Sequence, residues 1–262
     1  MSIAVLLPSY KPAWYLERCL ESIEHQTLER SRFKVYLALN GPKEEYEVFA
    51  LNLLGKFSFN YEYFYVEEAG VSNARNILLE MSSEDYVTFV DDDDLISPNY
   101  LEELIRHASD EYISVSNVFS FTESIHSLRE NYIGKSFSML KDCEISLFKS
   151  RKFFSSPWAK LIHRKIVGSA RFDTKLKVGE DSLFMAELSR RVKGVRKTNE
   201  TACYYVYKRE GSASRKKTVR TEEIRRVLYL VAIYGKMLLT GYNPPFILSR
   251  VAASLMHFKR IF

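Results

Sequence analysis

Ten residues constrain this chain more than any others: Tyr86-Val87-Thr88-Phe89-Val90-Asp91-Asp92-Asp93-Asp94-Leu95, an apolar run that stops at four consecutive carboxylates. Short, rich in β-branched and aromatic residues and free of Gly and Pro, the run reads as a strand buried on both faces. Open α/β sheets bind their ligands at the carboxyl ends of such strands. Four adjacent anions repel one another, and at a buried strand end that repulsion is costly unless a cation neutralises it. Hard divalent cations take oxygen ligands, and Mg²⁺ commonly uses one or two carboxylates plus substrate phosphates. The stretch predicts a metal–phosphate site. The competing reading is a solvated acidic turn, the ordinary fate of a short acidic run.

A chain of 262 residues, 46% hydrophobic and 27% charged, is long enough to bury a full core. Cys19, Cys143 and Cys203 are scattered without CxxC spacing, which argues against a disulfide framework and against a zinc site and suits a reducing cytosol. Ser2 leads straight into a strand-like Ile3–Leu7 with no basic segment before it, so no signal peptide is read there. No stretch has the length of a clean transmembrane helix. From Lys208 onward there are 12 Lys and Arg against 3 Asp and Glu, a net of +9, which leaves the first 207 residues at −4 against +5 for the whole chain. A basic tail on a mildly acidic body predicts an anionic surface or substrate as partner, and no nucleic-acid partner is expected.

In chain order, Ile3–Leu7 is a buried-strand pattern that stops at Pro8-Ser9-Tyr10, and Leu16, Leu20 and Ile23 then recur at helical spacing up to about Gln26. Phe33–Leu39 predicts a second strand ending at the turn Asn40-Gly41-Pro42, followed by a helix over Glu45–Leu54. Tyr61–Val66 predicts a third strand, and Ser72 is a candidate N-cap for a helix running to Met81. The strand that ends in the aspartates comes next, and Pro98 opens a helix over about Asn99–His107. Strand and helix alternating in this way predict parallel βαβ units. No GxGxxG follows the first strand and no P-loop is present, which disfavours both nucleotide folds. The loops carrying Ser9 and Tyr10, Asn40 and the aspartates should meet on one edge of the sheet, where together they could hold a nucleotide and its diphosphate.

Pro8-Ser9-Tyr10, Asn40-Gly41, Gly70-x-Ser72-x-Ala74-Arg75-Asn76 and Phe89-Val90-Asp91-x-Asp93-Asp94-Leu95 occur in that order. This ordered set resembles the N-terminal half of a family 2 glycosyltransferase of the GT-A fold. Trp158-Ala159-Lys160-Leu161 resembles the W-x-K-L segment of bacterial members, and Gly179-Glu180-Asp181 resembles the segment that carries the catalytic base. Tyr204-Tyr205 through Arg209-x-Gly211-Ser212-x-Ser214 resembles the stretch that follows it. The resemblance spans residues 3–214. It implies a mostly parallel mixed α/β sheet flanked by helices, with a nucleotide-binding half over 1–110 and an acceptor-binding half over 111–214; beyond it, the residue pattern of 215–262 predicts a basic amphipathic helical extension.

The resemblance also implies roles. Tyr10 would lie against the nucleobase, with Pro8 and Ser9 beside it. Asn40 stands where the family usually has Asp to accept the uracil N3–H; its oxygen can accept that bond and its amide can donate to a neighbouring carbonyl. Arg75 would reach the base or the diphosphate, or else form a helix-surface ion pair. Asp91 would hold the ribose and, with Asp93, a Mn²⁺ or Mg²⁺ bridging the diphosphate. Asp94 would face the donor or acceptor sugar, and Asp92 would sit at the nucleotide or point to solvent. Four aspartates in a row leave the D-x-D frame open by one residue; Phe89-Val90 and Leu95 favour Asp91/Asp93. Asp181 would be the general base of an inverting transfer, with Glu180 as the runner-up; the same pair also suits a helix N-terminus. Trp158 could stack on a sugar ring or fill the core, with Lys160 near the sugar. Lys160, Arg209 and Ser212 could contact the diphosphate as a loop closes.

Arg215-Lys216-Lys217 opens the basic tail, with a helix expected over Glu222–Leu239, a break at Gly241–Pro245 and a second helix over Phe246–Phe262. Basic amphipathic helices can lie on an anionic membrane surface or cap a domain, and both readings stay open here. The activity implied is transfer from a nucleotide-sugar, UDP-linked, to a hydroxyl of a glycan or lipid-linked oligosaccharide in envelope polysaccharide (O-antigen or capsule) synthesis. The setting implied is cytoplasmic, on the inner face of the membrane. A nucleotidyltransferase would want a Gly- and Lys-rich loop after the first strand, which Pro8-Ser9-Tyr10-Lys11-Pro12 lacks. A non-catalytic binder of the same fold is the remaining rival, favoured only by Asn40.

Overall fold

A computed structural model describes residues 1–209 and 220–256. The first third alternates as read: β1 (Ile3–Ser9), α1 (Trp14–Glu24), β2 (Phe33–Asn40), α2 (Glu44–Leu54), β3 (Tyr61–Val66), α3 (Val71–Met81) and β4 (Tyr86–Phe89). Then come β5 (Leu95–Ile96), α4 (Tyr100–Arg106), β6 (Tyr112–Val115), β7 (Asn117–Phe121), β8 (Arg129–Glu130), α5 (Tyr132–Met139) and β9 (Cys143–Glu144). The remainder is β10 (Lys160–His163), α6 (Arg164–Val167), α7 (Glu180–Leu188), β11 (Gly194–Lys197), β12 (Cys203–Tyr207), α8 (Arg220–Leu239) and α9 (Pro244–Met256).

One eight-stranded sheet runs β3-β2-β1-β4-β10-β6-β11-β9, and a four-stranded sheet runs β5-β12-β7-β8. The first four strands are parallel, with Leu6 opposite Phe89 and Ser9 opposite Leu39. β10 lies antiparallel between β4 and β6, so the second half of the chain continues the sheet begun by the first. Every residue of β1 is buried, as a central parallel strand covered on both faces requires. The chain builds outward from β1 through β2 to β3, then returns to place β4 on the other side of β1. That reversal opens a crevice at the carboxyl ends of β1 and β4, the position where such sheets bind ligands.

Local details differ from the sequence reading in three places. Gly70, not Ser72, is the N-cap of α3; Ser72 lies inside the first turn, with a buried hydroxyl that has no partner among the described residues. The helix after Pro98 starts at Tyr100 with Asn99 as its N-cap. The last helix begins at Pro244 and Pro245, since a first turn needs no N–H from them, and the Asn243 side chain accepts the Phe246 N–H at 3.0 Å.

The C-terminal helices pack on the body. Leu230, Tyr234, Met237, Phe246 and Ile247 belong to the same core cluster as β1, and the Phe246 ring meets Phe154 edge-on at 5.1 Å. The apolar stripe read along this segment is therefore covered by protein, as in the capping alternative. Leu228, Leu239, Leu248, Leu255 and Met256 remain exposed on these two helices. Among the described residues no helix is long and apolar enough to cross a membrane. Arg215, Lys216 and Lys217 lie outside the described residues.

Candidate active site

The four aspartates follow β4 into a tight turn, closed by the Asp94 N–H donating to the Asp91 carbonyl at 3.0 Å. The turn sends alternate side chains to opposite sides. Asp92 and Asp94 point inward: Ser9 Oγ donates to Asp92 Oδ2 at 2.5 Å and the Tyr207 N–H donates to Asp94 Oδ1 at 2.8 Å. Asp91 and Asp93 face the cleft, with side chains 30% and 17% exposed. The turn thus leaves two accessible carboxylates, Asp91 and Asp93, and two inaccessible ones, Asp92 and Asp94. Asp92 does not point to solvent, because Ser9 and the end of β1 enclose it. Asp94 does not face a sugar, because it is spent on the β12 backbone beneath the turn.

The electrostatics follow from this crowding. Burial, with Asp93 and Asp91 nearby, pushes the Asp92 carboxyl up to about 7 despite the Ser9 hydrogen bond. Burial and the adjacent Asp91 push Asp93 up to about 6, against the pull of Arg209. Burial likewise pushes Asp94 well above the usual carboxylate range. The Arg209 Nε stands 2.9 Å from Asp93 Oδ2, and its guanidinium lies 4.6 Å over the Tyr15 ring. Ser212 lies outside the described residues.

Arg75, on α3, is 3% exposed, and its guanidinium forms a bridge. Nη2 donates to Asp91 Oδ1 at 2.9 Å and Nη1 donates to Asp181 Oδ1 at 2.5 Å. The Phe172 ring supports it from 5.3 Å. Burial works against its charge, but Asp181, Asp91 and Glu180 together hold it firmly protonated. Arg75 is therefore not a surface ion pair; it ties the strand-end carboxylates to the start of α7.

Gly179, in a left-handed conformation at φ +92°, caps α7 and turns the chain so that Glu180 and Asp181 enter the cleft in its first turn. The Asp181 side chain is 23% exposed. Burial raises its pKa and Arg75 opposes the rise. Glu180 is buried, its Oε2 has no partner among the described residues, and burial beside Asp181 pushes it up to about 7.

The nucleotide-side residues also gather here. Pro8 and Ser9 end β1 buried, while Tyr10 is 49% exposed. Its ring lies on Gly41, where a Cβ would come within 2.8 Å of it. Asn40 is buried and staples two loops: Nδ2 donates to the Ser9 carbonyl at 2.6 Å, and Oδ1 accepts the Gly70 N–H at 3.0 Å. A carbonyl oxygen has two lone pairs, so Oδ1 keeps one acceptor position.

Trp158 is half-buried and stacks on Tyr204, ring centroids 5.0 Å apart with planes within 10°. The next residue, Ala159, has φ +59°, a conformation costly for a side-chain-bearing residue. Lys160 is 1% exposed, and its ammonium donates to the Ser156 and Trp158 carbonyls, clamping this strained turn from below. Burial pushes Lys160 down to about 7. It does not reach the cleft surface, so the expected sugar or diphosphate contact is replaced by a strut under Trp158.

The sequence reading assigned no role to Tyr204, whose hydroxyl accepts the Asp91 N–H at 3.0 Å, or to Phe172 under Arg75. The resemblance over Tyr204-Tyr205 marked the first; nothing in the sequence marked the second.

Among the described residues no group of three or more His, Cys, Asp or Glu side chains converges as a metal cage. Asp91 and Asp93 offer hard oxygen ligands and surplus negative charge, a donor set that fits Mg²⁺ or Mn²⁺ completed by phosphate oxygens and water.

The family model for glycosyl transferase family 2 matches residues 4–169. The glycosyltransferase GlyA of Streptococcus pneumoniae serotype 4 is 31% identical over 230 residues, covering 81% of this chain and 31% of that protein. The poly(ribitol-phosphate) β-N-acetylglucosaminyltransferase TarS of Staphylococcus aureus is 23% identical over 237 residues, covering 89% of this chain and 40% of that protein. The chain thus spans well under half the length of these two relatives. The crystal structure of S. aureus TarS 1-349 in complex with UDP-GlcNAc superposes with a TM-score of 0.76 at 21% identity, covering 97% of this chain and 72% of that one. That likeness shows the fold, a GT-A fold.

Proposed function

The chain belongs to glycosyl transferase family 2, and from that premise we propose that it transfers a sugar from a nucleoside-diphosphate donor to a hydroxyl of a cell-envelope glycan, inverting the anomeric centre. The observation that carries this reading is the convergence of Asp91, Asp93 and Asp181 on one cleft, with Asp91 and Asp181 held within the span of a single guanidinium.

Asp181 is the base. It takes the acceptor hydroxyl's proton as the acceptor oxygen bonds to C1 of the sugar. The C1–oxygen bond to the diphosphate breaks, and its electron pair leaves with the nucleoside diphosphate. A positioned base of this kind typically contributes about 10²–10⁴-fold. Glu180 is placed worse: it is more buried and does not share the Arg75 bridge. Asp91 and Asp93 would hold Mn²⁺ or Mg²⁺, which when bound neutralises charge on the leaving diphosphate. Tyr10 on Gly41 offers the nucleobase a flat aromatic face, and the free Asn40 acceptor position suits a uracil N3–H. The complex of the TarS neighbour with UDP-GlcNAc supports UDP as the carrier. Arg209 and Ser212 are assigned to the diphosphate. Trp158 is assigned to a sugar ring. The acceptor is assigned to a glycan chain, lipid-linked at its origin, and the exposed leucines of α8 and α9 to peripheral contact with the inner face of an anionic membrane.

The test is Asp181→Asn. Release of UDP from UDP-sugars in the presence of acceptor should fall by at least about 10²-fold, with UDP affinity within about twofold of wild type. Near-normal turnover would remove Asp181 as the base.

A further inference from the structure

A groove of about 420 Å³ lies between the loop leading to α7 and the first half of α8, a size typical of ligand sites. Two contacts clamp its walls together: Tyr229 Oη donates to Asp173 Oδ2 at 2.6 Å, and the Arg226 guanidinium donates to the Val178 carbonyl at 3.5 Å. The packing is close, since a methyl group at Gly179 would come within 3.0 Å of Leu230. Leu176, Val178 and Tyr229 give the groove an apolar side.

Its charges are not balanced. Arg226 and Glu223 pair with each other. Lys175, Lys177 and Arg225 also line the groove, and their side chains make no ion pair among the described residues. Glu222 and, at the Tyr229 clamp, Asp173 oppose them with two negative charges, which leaves one positive charge in excess. Three cations around a concave apolar surface repel one another, and an anion seated among them relieves that repulsion. The groove wall at Val178 is three residues from Asp181, at most about 10 Å along the chain.

We propose that this groove binds a phosphodiester-bearing stretch of the acceptor, upstream of the hydroxyl presented to Asp181. Sugar or polyol carbons lie on Leu176, Val178 and Tyr229, and phosphate oxygens meet Lys175, Lys177 and Arg225. This deepens the transferase reading and rests on it: the acceptor is an anionic chain, not a neutral glycan. The phosphate contacts come from the loop before α7 and from α8, both beyond the segment matched by the family model.

The test uses the full chain and a synthetic oligo(ribitol phosphate), with a neutral maltooligosaccharide of equal length and phosphatidylglycerol vesicles as the other arms. UDP, GDP and CDP, each with Mn²⁺, are titrated into every preparation. Wild type should bind the phosphate chain, more weakly as salt rises, and bind the neutral chain at least about tenfold less tightly. The Lys177→Glu/Arg225→Glu variant should lose at least about tenfold in phosphate-chain affinity, which is about 1.4 kcal/mol, while binding UDP as wild type does. Lys175→Glu alone should act in the same direction. Equal binding of the neutral chain, unchanged phosphate-chain affinity in the reversal variants, or binding to vesicles without binding to the oligomer would each overturn the proposal. Wild type that binds a nucleoside diphosphate but no phosphate chain overturns the groove assignment alone; wild type that binds none of UDP, GDP and CDP in the presence of Mn²⁺ overturns the transferase reading beneath it.

Discussion

Replacing Arg75 by Met removes the charge of the bridge while keeping similar bulk. Breaking a buried ion pair by deleting one partner typically costs about 3–5 kcal/mol. Asp91 and Asp181 keep 30% and 23% side-chain exposure, so water recovers part of the loss and the low end, about 3 kcal/mol, is expected near pH 8. Of this, up to about 2 kcal/mol belongs to the desolvated guanidinium over Phe172 and does not depend on carboxylate ionisation. The rest does. Burial already raises Asp181 above its unfolded value, and Glu180 is pushed up to about 7. Groups with raised folded-state pKa values contribute stability at low pH that is lost as pH rises through those values. Without Arg75 the rise in Asp181 is opposed less, so more stability is lost on the way to pH 8. The gap between wild type and Arg75→Met should therefore widen as pH rises from 4.5, reaching about 3 kcal/mol at pH 8. Urea unfolding at the two pH values, followed by the fluorescence of Trp14 and Trp158, measures it. An equal loss at both values would mean that Arg75 acts by packing on Phe172, and the electrostatic account of the bridge would be wrong.

Three other substitutions probe the site. Gly41→Ala places a methyl against the Tyr10 ring at φ +91°; it should cost about 1 kcal/mol of stability and weaken UDP binding, read by thermal melting and calorimetry. Gly179→Ala meets Leu230 in another left-handed position; it should cost about 1–2 kcal/mol and lower turnover more than UDP affinity, because it shifts the start of α7. Asp92 has a folded-state pKa of about 7 against an ordinary 3.8, so its stabilising contribution is present below the ordinary value and disappears as pH rises through about 7. Asp92→Asn should raise stability at pH 8 by about 1–3 kcal/mol and flatten the loss between pH 5 and 8, measured as melting temperature against pH.

The βαβ half of the fold was legible because a buried parallel strand must be continuously apolar, as Ile3–Leu7 and Tyr86–Phe89 are, and because the loops between such strands can only collect on the carboxyl edge. The aspartate run announced its position for the same reason. Which two carboxylates face the cleft was not legible from spacing alone, because the turn between Asp91 and Asp94 and the partners Ser9 and Tyr207 decide it. The partners of Arg75 were hidden as well: Asp91 and Asp181 are 16 and 106 residues away, and no local pattern encodes such a meeting. Only the resemblance of Trp158-Ala159-Lys160-Leu161 placed Lys160 near a ligand; its place beneath the left-handed Ala159 depends on the backbone of that turn. The C-terminal stripe was readable as amphipathic, but whether protein or lipid covers it depends on Phe154 and the core it meets.

The central claim is that Asp91 and Asp93 form a cation-dependent site for a nucleoside diphosphate. Calorimetric titration of UDP, GDP and CDP, each with and without Mn²⁺, into wild type and Asp93→Asn tests it most directly. Mn²⁺-dependent binding of UDP in preference to the others, lost in Asp93→Asn, is the predicted result. Wild type that binds none of the three, with or without the metal, would contradict it.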